Sequence, residues 1–216
     1  MKIGVLGTGE VGQAIGGKLV SLGHDVMMGA RSADNEKVLA FAERTGGRAG
    51  TFRDAATHGE MIVQCARGNM AVEVLRQAGA ENLEGKVVID VSLPLDFSAG
   101  FPPSLFVQNT DSLGEIIQRE FPGAKVMKTL NTMNHAIMVD PRKLPGTTTV
   151  FVSGNDKPAK GRVMDLLRAF GWTSIIDLGD ITTARGTEML LPLWVRLYSA
   201  LGTADFNIAV VKGDGT

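Results

Sequence analysis

The 216-residue sequence predicts an α/β fold with a doubly wound, mostly parallel sheet. Short apolar runs alternate with amphipathic segments along most of the chain, as in repeated strand–helix–strand units. The first of these units carries a glycine-rich motif between its strand and its helix. Apolar residues make up 44% of the chain and charged residues 21%, which is typical of a globular protein, and the length suits one domain or a domain with a small appendage.

The strand and helix predictions follow from the spacing of apolar residues. A strand is expected at 2–6, and apolar residues recurring every three or four positions from Val11 to Leu22 predict a helix that ends at Gly23. Asp34 is expected to cap a helix that runs to about Arg44. Further strands are expected at 25–29, 49–52, 61–64, 86–91, 124–129, 148–153 and 173–177, and further helices at 69–77 and 159–170.

The segment 181–211 predicts one long apolar helix that is kinked near Pro192 and Gly202. Apolar side chains occupy nearly all its sides around 190–197. We therefore expect this C-terminal helix to be covered on more than one side and to form a homodimer contact. Residues 92–103 contain three prolines and predict an ordered loop at the carboxyl end of a strand, where α/β folds bind ligands.

Composition and charge exclude several classes of protein. The formal net charge is −1 and no basic stripe is present, so nucleic acid is not an expected partner. No apolar run approaches the ~20 residues of a membrane span, and a strand pattern from Lys2 leaves no room for a leader. Cys65 is the only cysteine, and the three histidines lack metal-ligand spacing. We expect a cytoplasmic protein with no metal and no membrane partner.

The glycine motif is Gly7-Thr8-Gly9-Glu10-Val11-Gly12, which fits the pattern G-x-G-x-x-G. In a strand–turn–helix context, the first glycine permits the tight turn, the second lets the backbone approach a pyrophosphate, and the third lets helix and strand pack closely. The alternative is a turn that merely needs glycine. We assign residues 1–180 to a Rossmann-like dinucleotide-binding domain and 181–216 to a helical extension packed on the same unit.

The end of the second predicted strand indicates NADP(H) rather than NAD(H). No carboxylate occupies the usual ribose-binding position there, and Arg31 and Ser32 offer a guanidinium and a hydroxyl to a 2′-phosphate. Thr8 and Lys37 are expected to reach the same place. The alternative for Arg31 is a solvated surface charge.

The other candidate site residues follow predicted strands and should meet at the carboxyl edge of the sheet. Polar groups there can bind cofactor or substrate, and Leu93 and Met133 can pack against the nicotinamide ring. His135 is the candidate proton donor or acceptor, with a polar loop residue as its alternative, and Cys65 is either a reactive thiol or a packing residue. The remaining candidates for cofactor binding are Ala66, Ser92, Pro94, Asn131 and Thr132.

Two further observations bear on the chemistry. Tyr198 is the only tyrosine and no Tyr-x-x-x-Lys pair is present, so an obvious acid for carbonyl or imine reduction is lacking. Hydride transfer to a flavin or deazaflavin demands mainly that two rings be stacked and oriented. Arg185 and Glu188 are expected to form a surface pair, to anchor the last helix near the site, or to contact a substrate carboxylate.

The segment MKIGVLGTGEVGQAIGGKLVSLGHDVMMGAR, the later KTLNTM and the long final helix resemble the F420-dependent NADP oxidoreductases over nearly the whole chain. They also resemble the cytoplasmic reductase domains of the six-transmembrane metalloreductases. The resemblance implies a sheet of about eight strands with NADP at its carboxyl edge. Thr8, Arg31 and Ser32 would then hold the 2′-phosphate, and Gly9 the pyrophosphate. The loops 92–95 and 131–134 would flank the nicotinamide and a second ring, with hydride passing between nicotinamide C4 and deazaflavin C5.

Three hypotheses follow from the residues and the resemblance together. The leading one is an NADPH-dependent oxidoreductase with F420 or a flavin-like acceptor as co-substrate. The second is a reductase of a small carbonyl or imine that uses His135 or water as its acid. The third is a non-catalytic NADP-binding sensor. A ring-sized apolar pocket favours the first hypothesis, a small polar pocket with His135 the second, and a blocked nicotinamide face the third.

Overall fold

An eight-stranded sheet with helices on both faces forms the body of the protein. The computed structural model describes residues 1–213. All neighbouring strands are parallel except β8 and β9. From one edge to the other the order is β10 (Ser174–Gly179), β9 (Thr149–Gly154), β8 (Lys125–Thr129), β5 (Val87–Asp90), β4 (Met61–Gln64), β1 (Lys2–Leu6), β2 (Asp25–Ala30) and β3 (Arg48–Thr51). The predicted doubly wound, mostly parallel fold is confirmed.

Two apolar cores lie on opposite faces of the sheet. One contains the apolar faces of α1 (Glu10–Ser21), α2 (Glu36–Thr45), α6 (His135–Val139) and α7 (Lys157–Phe170). The other contains α3 (Phe52–His58), α4 (Ala71–Ala78), α5 (Leu113–Glu120) and the start of α8 (Ala184–Met189). The central strands β1, β4 and β5 are buried on both sides, which explains their continuous apolar runs, whereas the edge strands β3 and β10 are partly exposed.

The direction of winding reverses between β1 and β4. From β1 the chain adds β2 and β3 on one side and then returns to place β4 on the other side of β1. The loops that leave β1 and β4 therefore diverge at the carboxyl edge of the sheet. In doubly wound sheets the crevice at such a reversal is where ligands bind.

Several predicted boundaries are wrong by a few residues for local reasons. Asn35, not Asp34, caps α2, because its side chain accepts from the Lys37 N–H at 3.0 Å. The strand predicted at 49–52 ends at Thr51, whose side chain forms a capping box with Asp54 and starts α3 at Phe52.

The loop predicted at 92–103 holds a short strand, β6 (Leu95–Asp96), which pairs with β7 (Ser104–Leu105) in a separate antiparallel hairpin. The polar and aromatic residues between the two strands therefore have a defined place beside the carboxyl edge of the main sheet.

The C-terminal region forms two helices that meet at Leu190, close to Pro192, where the sequence predicts a kink in one long helix. α8 ends at Met189, and α9 (Leu191–Leu201) starts with Pro192 in its first turn. The helix ends at Leu201 rather than near 211, because Gly202 adopts the left-handed conformation with φ 67°. Residues beyond it run back to the sheet, where the Thr149 N–H donates to the Ile208 carbonyl. Residues 214–216 of the predicted extension lie outside the described part of the chain.

Within residues 1–213, no helix combines the length and the apolar composition that a membrane crossing requires.

Candidate active site

The three glycines of the first loop have the distinct environments that the motif requires. Gly7 has φ 123°, a conformation that L side chains rarely adopt. A Cβ on Gly12 would lie 2.1 Å from the Gly7 carbonyl oxygen, so only glycine lets α1 pack this closely on the turn. A Cβ on Gly9 would meet no atom within 4 Å. Space beside Gly9 is therefore open to a ligand.

The N-terminus of α1 can receive an anion. Gly9 is the cap residue and has no side chain to accept a hydrogen bond from the first turn, so the backbone N–H groups there have no side-chain cap. The helix has 12 residues, and its dipole adds positive potential at this end. These features fit a pyrophosphate held by backbone N–H groups.

Three of the four residues expected at the 2′-phosphate lie on the exposed corner between β2 and the first turn of α2, and the fourth, Thr8, is partly buried in the glycine loop. Arg31, Ser32 and Lys37 are all exposed, and Arg31 makes no ion pair with any residue in 1–213. The Ser32 hydroxyl donates to the carboxylate of Asp34, a residue that was expected to cap a helix rather than to bind at this corner. A phosphate bound here would have to displace that carboxylate from Ser32.

A cleft of about 1080 Å³ opens beside the glycine loop at the point where the sheet reverses. Its walls come from the start of α1, the loop after β4, the loop after β5 and the β6–β7 hairpin. The predicted site residues that line it are Gly9, Glu10, Val11, Cys65, Ala66, Ser92 and Leu93. The other lining residues are Arg67, Gly68, Asn69, Val91, Leu95, Asp96, Phe97, Ser98 and Phe106.

Aromatic side chains cover the outer wall of the cleft. Phe97 and Phe106 line it, and their side chains are 59% and 45% exposed. Phe101, at the tip of the hairpin, is 64% exposed and does not line the cleft. The loop predicted at 92–103 includes Phe97 but ends before Phe106. Two exposed phenylalanines in one cleft offer flat apolar surface to a ring.

The predicted loop after β8 lies inside the protein rather than on the wall of the cleft. Asn131, Thr132 and Met133 are all buried, and Met133 belongs to one of the apolar cores. Leu130 precedes them with φ 62°, an unusual conformation for leucine. The Asn131 Nδ2 group is buried and has no hydrogen-bond acceptor within residues 1–213. Pro94 is also buried behind the cleft.

Two candidate reactive groups have environments that do not favour proton transfer in the cleft. His135 starts α6 outside the cleft lining, and its Nδ1 lies 3.8 Å from a carboxylate oxygen of Glu10. Burial raises the pKa of the Cys65 thiol, and the nearby charge of Asp90 raises it further. Cys65 is therefore a protonated thiol at neutral pH, which favours the packing interpretation.

A buried lysine lies directly behind the wall of the cleft. Lys128 of β8 donates to Asp90 of β5 at 2.8 Å, to Glu188 of α8 at 2.9 Å and to the Ser92 carbonyl oxygen. Burial opposes the charge on Lys128, but the two carboxylates outweigh this effect and raise its pKa.

Glu188 and Arg185 do not pair with each other. Glu188 accepts from Lys128 and from the N–H groups of Leu113 and Gly114 at the start of α5. Arg185 makes two hydrogen bonds to Glu115, and these bonds lower the pKa of that carboxyl group. Of the three interpretations of these residues, the structure supports the anchoring of the last helical region near the site.

Comparison with known proteins identifies the family. The profile of the family described as "NADP oxidoreductase coenzyme F420-dependent" matches residues 2–94. A crystal structure of a provisionally named F420-dependent NADP reductase from Arthrobacter sp. FB24 is 50% identical, with a TM-score of 0.94 over 98% of this chain and 100% of that chain. The chain belongs to the F420-dependent NADP oxidoreductase family. As a member of this family it is an NADP-dependent oxidoreductase, and the predicted resemblance is confirmed.

More distant relatives of this family member span archaea and mammals. The F420-dependent NADP reductase of Methanocaldococcus jannaschii is 27% identical over 94% of this chain and 96% of its own length. The metalloreductase STEAP3 of Rattus norvegicus is 29% identical over 93% of this chain, which spans 39% of that protein. A Streptomyces aurantiacus imine reductase shares the fold, with a TM-score of 0.66 at 17% identity.

Proposed function

We propose that this oxidoreductase transfers hydride between NADP(H) and a planar acceptor of the deazaflavin (F420) or flavin type. The observation that carries this proposal is that one cleft joins the uncapped start of α1 to the exposed rings of Phe97 and Phe106. A dinucleotide held at the first of these features and a ring held at the second would share one apolar space.

We assign the NADP(H)-binding part of the site from the hydrogen-bond donors that the chain offers there. Backbone N–H groups from Gly9 to Val11 would hold the pyrophosphate, and Thr8, Arg31, Ser32 and Lys37 would hold the 2′-phosphate. Bound NADPH supplies the hydride from its nicotinamide C4. Ser92 and Leu93 would support the nicotinamide, with Cys65 and Ala66 opposite. Asn131, Thr132 and Met133 line no part of the cleft, so they would support the site from inside the protein rather than contact the cofactor.

The acceptor half is assigned from shape and polarity. Phe97 and Phe106 expose apolar surface on the side of the cleft away from the glycine loop, and Leu93 and Leu95 continue that surface inward. Stacking on such side chains orients a ring with little need for a proton donor, since the cofactors carry the chemistry. Among the curated relatives, the archaeal proteins are named for F420, which supports a deazaflavin acceptor, whereas the Rattus norvegicus protein is named as a metalloreductase.

The cleft gives weaker support to the two alternatives. Reduction of a carbonyl or imine needs an acid at the reacting atom. Four titratable residues of the described chain line the cleft, and of these the Glu10 side chain is largely exposed to solvent and Arg67 carries a guanidinium. Of the other two, Cys65 has a raised pKa, and Asp96 has a pKa lowered by hydrogen bonds from Ser98. Neither group is an acid suited to neutral pH. A sensor would not need an open face beside the glycine loop, whereas this cleft is open there.

Oxidation of NADPH by the purified protein against a panel of acceptors tests the proposed function. The panel contains F420, FMN, FAD with ferric iron, and small aldehydes and imines, with NADH in parallel. We expect turnover with F420 or a flavin and a preference for NADPH over NADH. Turnover confined to aldehydes or imines would overturn the proposal, and so would tight NADPH binding without turnover on any acceptor.

We also propose that two copies of the chain associate through α9. Leu193, Tyr198 and Leu201 are exposed on this helix by 52%, 42% and 56%. Trp194 stacks on Tyr198 and on Phe206 beside them, which makes the apolar surface continuous. Sedimentation equilibrium should show a dimer that becomes a monomer when Leu193 and Leu201 are both changed to Asp. A monomeric wild-type protein at micromolar concentration would refute this proposal.

A further inference from the structure

We propose that Lys128 is a positioning residue that fixes the Ser92 backbone, and with it the inner wall of the cleft, against α5 and α8. This inference rests on the proposed function, because it assumes that the nicotinamide lies against that wall. Lys128 itself lines no part of the cleft and is fully buried. Its effect on the cofactor must therefore pass through Ser92.

Every polar group of Ser92 is engaged by this network. The Ser92 N–H donates to Asp90 Oδ1 at 3.0 Å, and the Ser92 hydroxyl donates to the same oxygen at 2.5 Å. The Ser92 carbonyl oxygen accepts from Lys128 Nζ. Ser92 is only 5% exposed, yet it lines the cleft between Val91 and Leu93. All three polar groups of Ser92 are therefore already hydrogen-bonded within the network, which fixes the backbone at this point.

The network continues from Lys128 to two helices. The ammonium group has three hydrogens, and its three acceptors lie on Asp90, Ser92 and Glu188. Glu188 is held in turn by the N–H groups of Leu113 at 2.8 Å and Gly114 at 3.0 Å. The cleft wall, the start of α5 and α8 are thus joined through one buried nitrogen.

A contribution to the stability of the fold does not by itself account for this charged network. The attraction within a buried ion pair is little larger than the free-energy cost of removing its charges from water. Apolar side chains of similar volume therefore often replace such a pair without loss of stability. Here one cation meets two carboxylates, and the excess negative charge is balanced by the N–H groups of α5 and Ser92. What an apolar replacement cannot supply is a donor at the Ser92 carbonyl oxygen.

The test compares ligands with and without the nicotinamide. NADPH and 2′-phospho-ADP-ribose share the adenine, both ribose units and the phosphates, and only NADPH reaches the Ser92 wall. For Lys128→Met we expect the affinity for NADPH to fall about tenfold, while the affinity for 2′-phospho-ADP-ribose stays within about twofold. We also expect the fluorescence lifetime of bound NADPH to change, since it reports the surroundings of the nicotinamide.

A matched control lies elsewhere in the sheet. Lys160 of α7 is also nearly buried and donates to Asp177 at 2.7 Å and to the Gly179 carbonyl oxygen, at the β10 edge. Lys160→Met removes similar contacts but touches no residue of the cleft. We expect both affinities and the NADPH lifetime to match those of the wild-type protein.

A second variant keeps the test decisive if Lys128→Met does not fold. Asp90→Asn, Lys128→Met and Glu188→Gln together remove all three charges, so no carboxylate is left buried without a partner. Met still cannot donate to Ser92, and we expect the same selective loss of NADPH affinity. Equal losses for both ligands, or an unchanged NADPH affinity and lifetime, would overturn the inference. Failure of the wild-type protein to bind NADPH would instead refute the proposed function.

Discussion

Replacing Gly9 by Ala separates ligand binding from folding at the glycine loop. A Cβ at Gly9 meets no protein atom within 4 Å, and its φ of −72° and ψ of 179° are accessible to alanine. The substitution should therefore change the free energy of unfolding by no more than about 0.5 kcal/mol. The added methyl group would occupy the space through which a pyrophosphate approaches the N-terminus of α1. Loss of one or two charge-assisted hydrogen bonds costs about 2 kcal/mol, which raises the Kd for NADPH about thirtyfold.

Two other glycines of α1 provide the comparison. A Cβ on Gly17 would also meet no atom within 4 Å, but Gly17 lies two turns along the helix. Gly17→Ala should therefore stabilise the protein by about 0.5–1 kcal/mol without changing NADPH binding. Gly12→Ala should destabilise it by about 1–3 kcal/mol, since its Cβ would lie 2.1 Å from the Gly7 carbonyl oxygen. Urea unfolding and fluorescence titration measure the two quantities. An unchanged NADPH affinity in Gly9→Ala would refute the placement of the pyrophosphate.

Three further predictions concern the phosphate corner, the aromatic wall and the last helices. Arg31→Ala should weaken NADPH binding at least tenfold and NADH binding less than twofold, and equal losses in two parallel titrations would remove its role as a phosphate ligand. Phe97→Ala should raise KM for the acceptor about tenfold, whereas Phe101→Ala, outside the cleft, should leave steady-state kinetics unchanged; similar effects would contradict the stacking site. The pKa of Glu115 is lowered by Arg185, so their pair stabilises the fold above the ordinary carboxyl pKa, and this contribution is lost as pH falls through the lowered value. Arg185→Met should therefore flatten the fall of Tm between about pH 5 and pH 3, and a slope equal to wild type would refute the linkage.

The sequence predicted the main sheet because its strands are long enough to show a pattern. Each of the eight strands was expected within a few residues of its observed bounds, and the roles of Gly7 and Gly12 follow from spacing that local backbone geometry alone imposes. The short β6–β7 hairpin and the helices α3, α5 and α6 were not predicted. Strands of two residues show no alternation, and helices of five to eight residues are near the lower limit at which an apolar repeat is recognised, although α4, with eight, was predicted.

Most parts of the site that escaped prediction depend on contacts between residues that are far apart in the sequence. Lys128 and Asp90 are 38 residues apart, and only the register of β5 beside β8 brings them together. Glu188 was considered as an anchor, but its partners could not be named before the place of α8 was known. Asp34 reaches Ser32 through a turn that also moved the cap of α2 to Asn35. Phe106 is an aromatic residue near an exposed proline-rich segment. This feature of the sequence could be interpreted only once the structure placed Phe106 in the same cleft as Phe97.

The central claim is that hydride passes directly from the nicotinamide to a ring held in the same cleft. Single-turnover reduction of F420 by NADPH deuterated at C4, with each epimer used in turn, tests this claim most directly. We predict that one epimer transfers its deuterium to C5 of the deazaflavin, with a primary isotope effect on the observed rate, and that the other transfers none. Reduced F420 free of deuterium with both epimers, or no reduction of F420 while an aldehyde or imine is reduced, would contradict the account.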